Sequence, residues 1–324
     1  MRDHGGDPDR ARQIYGEGDW LDLSTGINPV PYPVPTLPLH AWSDLPTSTD
    51  MAGLLYAARQ AYQSKAAIVA LAGAQAAIQL VPRLMATGHA RVLGPTYNEH
   101  LAALVAHGWT VEQVSDPEDL AGADLATIVN PNNPDGRCYP PESLNALADQ
   151  VGLLVVDESF ADPEPAFSLA PSLGPENGNI VVLRSFGKFF GLAGIRLGFA
   201  LAGREMAERI AQLAGPWAVS GPAIALGRMA LADMDWQDRT RERLVADAAR
   251  MDRAAHTAGW RQVGGTTLFR TYAAPDASRA QEHLAHAHIW TRIFPYSRHW
   301  IRLGHPGTEQ GWDRLEAALT RECE

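Results

Sequence analysis

Lysine is almost absent from this chain. Of 27 basic residues only Lys65 and Lys188 are lysines, and the rest are arginines. Chemistry that needs a side-chain amine therefore has two candidates. Lys65 follows Gln63-Ser64 at the end of a helical pattern and reads as solvated. Lys188 stands in Ser185-Phe186-Gly187-Lys188-Phe189-Phe190-Gly191-Leu192, directly after the apolar run Ile180–Leu183. An ammonium among aromatic rings is poorly solvated, which lowers its pKa and favours the neutral amine. That is the form that condenses with a carbonyl group. The competing reading is a lysine that snorkels at a domain surface. Asp157 ends the run Val155-Val156 and is followed by Glu158-Ser159-Phe160. A carboxylate at the end of a buried strand is costly without a partner, so a cationic or protonated group is expected opposite it, unless it caps the next turn.

Two turns add polar groups of a different kind. Asn130-Pro131-Asn132-Asn133-Pro134-Asp135-Gly136 follows the apolar run Leu125–Val129. Its two X-Pro steps and its glycine make a rigid turn that can aim the Asn133 amide at a ligand hydroxyl, or be no more than a turn. Gly73-Ala74-Gln75-Ala76 follows Ala67–Leu71 and feeds a helical pattern, so its backbone N–H groups could face a phosphate. Pro82 leaves the length of that helix open. Ser185, three residues before Lys188, and Arg196, eight after it, are placed to complete an anion site.

All of these residues fall just after short apolar runs, and those runs must be the strands that position them. Ala67–Leu71, Leu125–Val129, Leu153–Val156 and Ile180–Leu183 alternate with helical patterns at Asp50–Gln63, where Asp50 is the expected cap, and at Asn98–His107. That alternation predicts an α/β domain with a mostly parallel sheet covered on both faces, its ligands beyond the carboxyl ends of the strands. A smaller α+β domain is expected after it. It would hold a long helix at Trp236–Thr257, strands at Thr267–Tyr272 and Ile289–Phe294, and helices at Ser278–His288 and Thr308–Arg321. The Pro-rich first forty residues read as an arm with a short extended piece, Trp20–Ser24. The expected division is an arm at 1–40 packing with the small domain, a large domain at 41–234 and a small domain at 235–324.

The 324 residues are 46% hydrophobic and 20% charged, in the range of folded proteins, and the formal net charge is −10. That acidity argues against a nucleic-acid partner. Two cysteines, Cys138 and Cys323, make neither a disulfide framework nor a cysteine-based metal site. The stretch Ala66–Pro82 is too short and too polar to span a bilayer, and the first residues lack the apolar core of a signal peptide. The expectation is a cytoplasmic protein with no metal and no membrane partner.

Taken in order, these motifs resemble the fold-type I pyridoxal 5′-phosphate enzymes, in the histidinol-phosphate aminotransferase-like branch, over nearly the whole chain. The resemblance implies a large domain with a mostly parallel seven-stranded sheet, a smaller C-terminal α+β domain and a homodimer. By it, Ser185-Phe186-Gly187-Lys188 … Gly194-Ile195-Arg196-Leu197-Gly198 carries the cofactor lysine, Lys188. Asn133 and Asp157 match the residues at the ring hydroxyl and ring nitrogen, and Tyr97 in Gly94-Pro95-Thr96-Tyr97 matches the ring that stacks on the cofactor. Ala74, Gln75, Ser185 and Arg196 match its phosphate cup. Arg302, in Trp300-Ile301-Arg302-Leu303-Gly304, matches the arginine that receives the substrate carboxylate.

Within that branch the chain is most similar to the threonine-phosphate decarboxylases of cobalamin biosynthesis. The openings His4-Gly5-Gly6-Asp7 and Leu21-Asp22-Leu23-Ser24-Thr25-Gly26-Ile27-Asn28-Pro29 carry this similarity. Phe160 also does, since it stands where aminotransferases usually place a tyrosine. A phenyl ring cannot donate a hydrogen bond. The implied reaction is decarboxylation of L-threonine O-3-phosphate to (R)-1-amino-2-propanol O-2-phosphate. Lys188 and Asp157 would be catalytic, with Arg292, His4, Ile27, Asn28, Asn133 and Arg302 around the substrate. The alternative is an aminotransferase acting on a phosphorylated amino compound such as histidinol phosphate. The Tyr-Pro-Asp segment that many relatives carry is replaced here by Ser43-Asp44-Leu45-Pro46-Thr47.

Overall fold

The computed structural model describes residues 4–321; Cys323 and the first three residues lie outside that range. The chain forms two compact units. The larger holds residues 32–133 and 137–237, and the smaller holds the described residues up to 31, residues 134–136 and those from 238 on. The strands in chain order are β1 (Leu21–Asp22), β2 (Ala67–Leu71), β3 (His89–Leu93), β4 (Thr110–Val114), β5 (Leu125–Val129), β6 (Leu153–Asp157), β7 (Ile180–Ser185), β8 (Gly198–Ala202), β9 (Arg261–Thr266), β10 (Phe269–Ala273), β11 (Ile289–Trp290), β12 (Arg292–Phe294) and β13 (Ser297–Leu303).

The large unit is built on a seven-stranded sheet of order β2-β8-β7-β6-β5-β3-β4. Only β8 is reversed. It pairs antiparallel with β2 and β7, and every other pairing in the sheet is parallel. Six strands therefore deliver their carboxyl ends to one edge. β5 and β6 are buried at every position because both faces of a parallel sheet are covered. This is why they read as unbroken apolar runs rather than alternating ones. On one face, Leu125, Leu153, Val155, Val181 and Leu183 pack with Ile78, Val81, Leu104 and Ile210 from the covering helices. Burying a Leu, Ile or Val side chain stabilises a fold by about 1.5–3 kcal/mol, so this layer holds the strand ends in place.

The small unit carries a four-stranded antiparallel sheet, β12-β13-β10-β9, and a two-stranded parallel pair, β1-β11. Its core joins Leu23 to Met251, Trp260, Leu284, Ile301, Leu303 and Trp312. The segment from Arg292 to Arg302 is a tight hairpin, with Phe294 opposite Ser297.

Several element boundaries differ from the sequence reading. Asp50 does not cap its helix. The helix runs Ser48–Ala61 with Thr47 at the cap, and Asp50 is the reciprocal partner one turn in. Its amide donates to the Thr47 hydroxyl and its carboxylate accepts from the Thr47 amide, both at 3.1 Å. The helix after Gly73 ends at Leu80, and Val81–Arg83 tightens into a 3₁₀ turn, because Pro82 cannot donate into the helical ladder. The expected strand Ile289–Phe294 is two strands in different sheets: β11 follows β1 and β12 follows β13. Glycine-rich β9 escaped notice because Gly264 and Gly265 suppress its strand signature.

Candidate active site

The carboxyl edge of the large sheet collects the polar side chains of that unit. Asp157 is the last residue of β6 and is 2% exposed. One carboxylate oxygen faces His100 Nε2 at 2.8 Å, and the other accepts from the Ser159 amide at 2.9 Å and the Ser159 hydroxyl at 2.5 Å. Burial by itself would push this carboxyl up. The His100 and Ser159 hydrogen bonds outweigh it and hold the pKa below the ordinary aspartate value, so the group is ionised at neutral pH.

Lys188 sits in the short helix Phe186–Phe189 that follows β7, between buried Phe186 and Phe189. Its amine lies 5.6 Å from the centroid of the Phe160 ring, a phenyl with no hydroxyl to offer. Tyr97 donates its hydroxyl to Gln75 Oε1 at 3.2 Å, and Gln75 in turn donates to buried Glu99 at 3.1 Å. The chain Tyr97-Gln75-Glu99 fixes the tilt of the Tyr97 ring.

Glycines shape a cradle beside the lysine. A Cβ on Gly198 would lie 2.4 Å from the Ala74 amide nitrogen, and one on Gly187 would lie 2.7 Å from the Ala193 Cα. Gly198 is the register partner of Ser185. Gly73, at φ +84°, lies under the Arg196 guanidinium, whose Nη2 would be 2.9 Å from an added Cβ. Ala74, Ser185 and Arg196 are thus drawn around one point at the start of the helix Ala74–Leu80, which no side chain caps. Amide N–H groups, a hydroxyl and a guanidinium form a donor set suited to a phosphate.

The Asn-Pro turn is locked by its other asparagines. The Asn130 side chain donates to the Tyr139 and Phe167 carbonyls, both at 3.0 Å, and accepts from the Tyr139 amide at 2.8 Å. Asn132 accepts from the Thr96 hydroxyl at 2.6 Å, and its backbone closes the turn onto the Arg137 carbonyl at 2.8 Å. Half-buried Asn133 follows.

In the small unit, Arg292 and Arg302 are directly opposed across β12 and β13. Arg302 is 6% exposed, donates to the Ser24 carbonyl at 2.6 Å and lies over the Phe269 ring. Burial first, and the Arg292 charge second, push it down to about 10, so it remains cationic at neutral pH. Two guanidiniums side by side are a site for an anion. Asn28 is 1% exposed and accepts from Arg243 at 2.6 Å. Ile27 is half-buried. His4 is exposed, next to Gly5, whose backbone packs on Ser24 so closely that a Cβ there would be 2.2 Å from the Ser24 carbonyl.

The sequence reading missed His100, Glu99 and a buried ion cluster behind Asp157. His100 lies in the first turn of the helix Glu99–Ala106, three residues after Tyr97, and that nearness in sequence was the available signal. In the cluster, Arg184 bonds Glu158 at 2.8 Å, contacts Asp162 and lies 4.4 Å over the Tyr62 ring.

One reversed strand among six parallel ones, a lysine after β7, an ionised aspartate ending β6 and a glycine-lined anion cradle define the fold-type I class. The chain belongs to the Aminotransferase class I and II family, which matches residues 48–319. It is 42% identical to a threonine-phosphate decarboxylase of Sinorhizobium over 98% of this chain and 97% of that one. A threonine-phosphate decarboxylase of Pseudomonas aeruginosa is 42% identical with the same shares covered. Among solved structures, a histidinol-phosphate aminotransferase from Sinorhizobium meliloti, in complex with pyridoxal 5′-phosphate, superposes with a TM-score of 0.84 at 22% identity. It covers 100% of this chain and 95% of that one, a likeness of fold.

Proposed function

We infer that this chain is a pyridoxal 5′-phosphate-dependent threonine-phosphate decarboxylase, acting on L-threonine O-3-phosphate with loss of carbon dioxide. The observation that carries this is 42% identity across 98% of the chain to decarboxylases of that name from two genera. The residues present fit the cofactor. A Cβ on Gly198 or Gly73 would press on the Ala74 amide or the Arg196 guanidinium, the donors that would face a phosphate. The ionised Asp157 is suited to hold a proton on a ring nitrogen. When bound, the cofactor supplies a conjugated ring that accepts the electron pair left by the departing carboxylate.

The chain's own groups do the rest. Lys188 anchors the cofactor through its amine. Ala74, Ser185 and Arg196 bind the cofactor phosphate, with Gln75 steadying the Tyr97 ring against the cofactor. Asn133 donates to the ring hydroxyl. Phe160 offers no second donor there, unlike the tyrosine usual in aminotransferases. On the substrate side Arg292, with His4 and Asn28, takes the phosphate, Arg302 takes the carboxylate, and Ile27 lies against the substrate. Gripping a carboxylate stabilises the ground state, so Arg302 assists only by fixing its angle, which selects the bond that breaks. Lys188, once the substrate amine has taken its place on the cofactor, would return a proton to the carbon that lost carbon dioxide, giving 1-amino-2-propanol O-phosphate.

We place this reaction in cobalamin biosynthesis, in the cytoplasm, and the enzyme as a homodimer. The dimer is supported by exposed Val34, Leu39, Trp42, Leu45 and Tyr56, an apolar series within one short segment. The deciding experiment is a single turnover of the holoenzyme with L-threonine O-3-phosphate. Carbon dioxide equal to substrate consumed, with the cofactor unchanged, is the expected result. Conversion of the cofactor to pyridoxamine phosphate without carbon dioxide would establish the aminotransferase alternative.

A further inference from the structure

Residues 134–136 group with the small unit, although the chain on both sides of them groups with the large one. Three contacts fasten them. Thr271 of β10, fully buried, donates its hydroxyl to the Pro134 carbonyl at 2.5 Å. A Cβ on Gly264 of β9 would lie 2.0 Å from the Asp135 carbonyl oxygen, and one on Gly136 would lie 2.1 Å from the Gly265 oxygen. The turn is laid backbone to backbone on the β9–β10 hairpin, and glycines are required on both sides. A bulge after Thr271 shifts the register of this pair, the kind of irregularity that re-aims side chains.

The position of Thr271 in the sheet gives this contact its meaning. Gly264, Thr271, Arg302 and Arg292 form one row across β9, β10, β13 and β12. The residue that fastens the turn is therefore the backbone partner of Arg302, which in turn opposes Arg292. We propose that Thr271 is a positioning residue: its hydroxyl fixes Pro134–Gly136 on the hairpin and so sets where the preceding residue, Asn133, presents its amide. The turn and the two arginines then share one strand register. This rests on the reading of Asn133 as a cofactor-binding residue. Thr271 itself touches neither cofactor nor substrate.

Thr271→Val keeps the shape and removes the donor, leaving the Pro134 carbonyl buried without it, whereas Thr271→Ser keeps the hydroxyl. Hydrogen exchange of the protein without cofactor should be faster over residues 132–137 in Thr271→Val and unchanged in Thr271→Ser. Pyridoxal 5′-phosphate should bind Thr271→Val about tenfold more weakly, the scale of one buried hydrogen bond left unmade. In an Asn133→Ala background the same substitution should make no further difference, since residues acting through one contact are not additive. Unchanged exchange in Thr271→Val would overturn the proposal. So would equal losses in the Ser and Val variants, or a tenfold effect that persists without Asn133. Failure of the unsubstituted protein to bind the cofactor would instead remove the functional reading itself, and the exchange result would still decide whether Thr271 fastens the turn.

Discussion

Replacing Arg184 with methionine tests how the end of β6 is held. Arg184 is 3% exposed, Glu158 is fully buried and Asp162 is 7% exposed. At 2.8 Å the Arg184–Glu158 attraction amounts to about 6 kcal/mol at an effective dielectric near 20, set against a desolvation cost of several kcal/mol for each ion. The intact cluster is thus close to neutral for stability, but removing the arginine strands two buried carboxylates. The expected loss is about 3–5 kcal/mol, a drop of about 1 M or more in the urea midpoint. The pH dependence follows from sign. Burial already raises Glu158 above its ordinary 4.5, and without Arg184 it rises further. A carboxyl whose folded-state pKa exceeds its unfolded value costs stability above the folded value and recovers it as pH falls through that value towards the unfolded one. The deficit should therefore be largest near pH 8 and shrink on acidification. Replacing Glu158 and Asp162 by Gln and Asn in the same protein should restore part of it. A loss below about 1 kcal/mol, or one that does not shrink as the pH is lowered, would refute this account of the cluster.

Other outcomes follow from single contacts. His100→Ala removes the partner that holds Asp157 down, so burial should raise that carboxyl and move the acid limb of the kcat/KM profile to higher pH; an unmoved limb would show that Asp157 is held by Ser159 alone. Gly198→Ala places a methyl 2.4 Å from the Ala74 amide and should weaken cofactor binding along with a stability loss of about 1–3 kcal/mol. Equilibrium titration with pyridoxal 5′-phosphate beside a thermal melt measures both. Buried His305 has a pKa below 6.5, chiefly from desolvation. Below pH 6.5 the unfolded chain takes up a proton that the folded one refuses, so stability falls with pH until the folded value is reached. His305→Asn should flatten that part of the urea-midpoint profile.

The middle of the sheet was legible because β5, β6 and β7 are buried on both faces. Leu125–Val129 and Ala67–Leu71 declare themselves as apolar runs, with the bounds the structure gives them. Strands with mixed polarity, such as β4 with Thr110, Glu112 and Gln113, carry no such signal. Lys188, Asp157 and the Gly73 turn stood out because each follows an apolar run. His100 and Glu99 did not, since their partners Asp157 and Gln75 are distant in sequence. The Arg184 cluster was hidden for the same reason: Tyr62, Glu158 and Arg184 meet only once the sheet has formed. The fastening of Pro134–Gly136 by Thr271 spans 137 residues and has no local signature.

Whether Lys188 is the amine that holds the cofactor can be tested cleanly, because the chain has only one other lysine. The purified protein is incubated with pyridoxal 5′-phosphate, reduced with borohydride, digested and mapped by mass spectrometry. The adduct is expected on the Lys188 peptide, and Lys188→Ala should lose both it and the visible absorbance. An adduct confined to exposed Lys65 or the N-terminal amine, or none at all, would contradict the account.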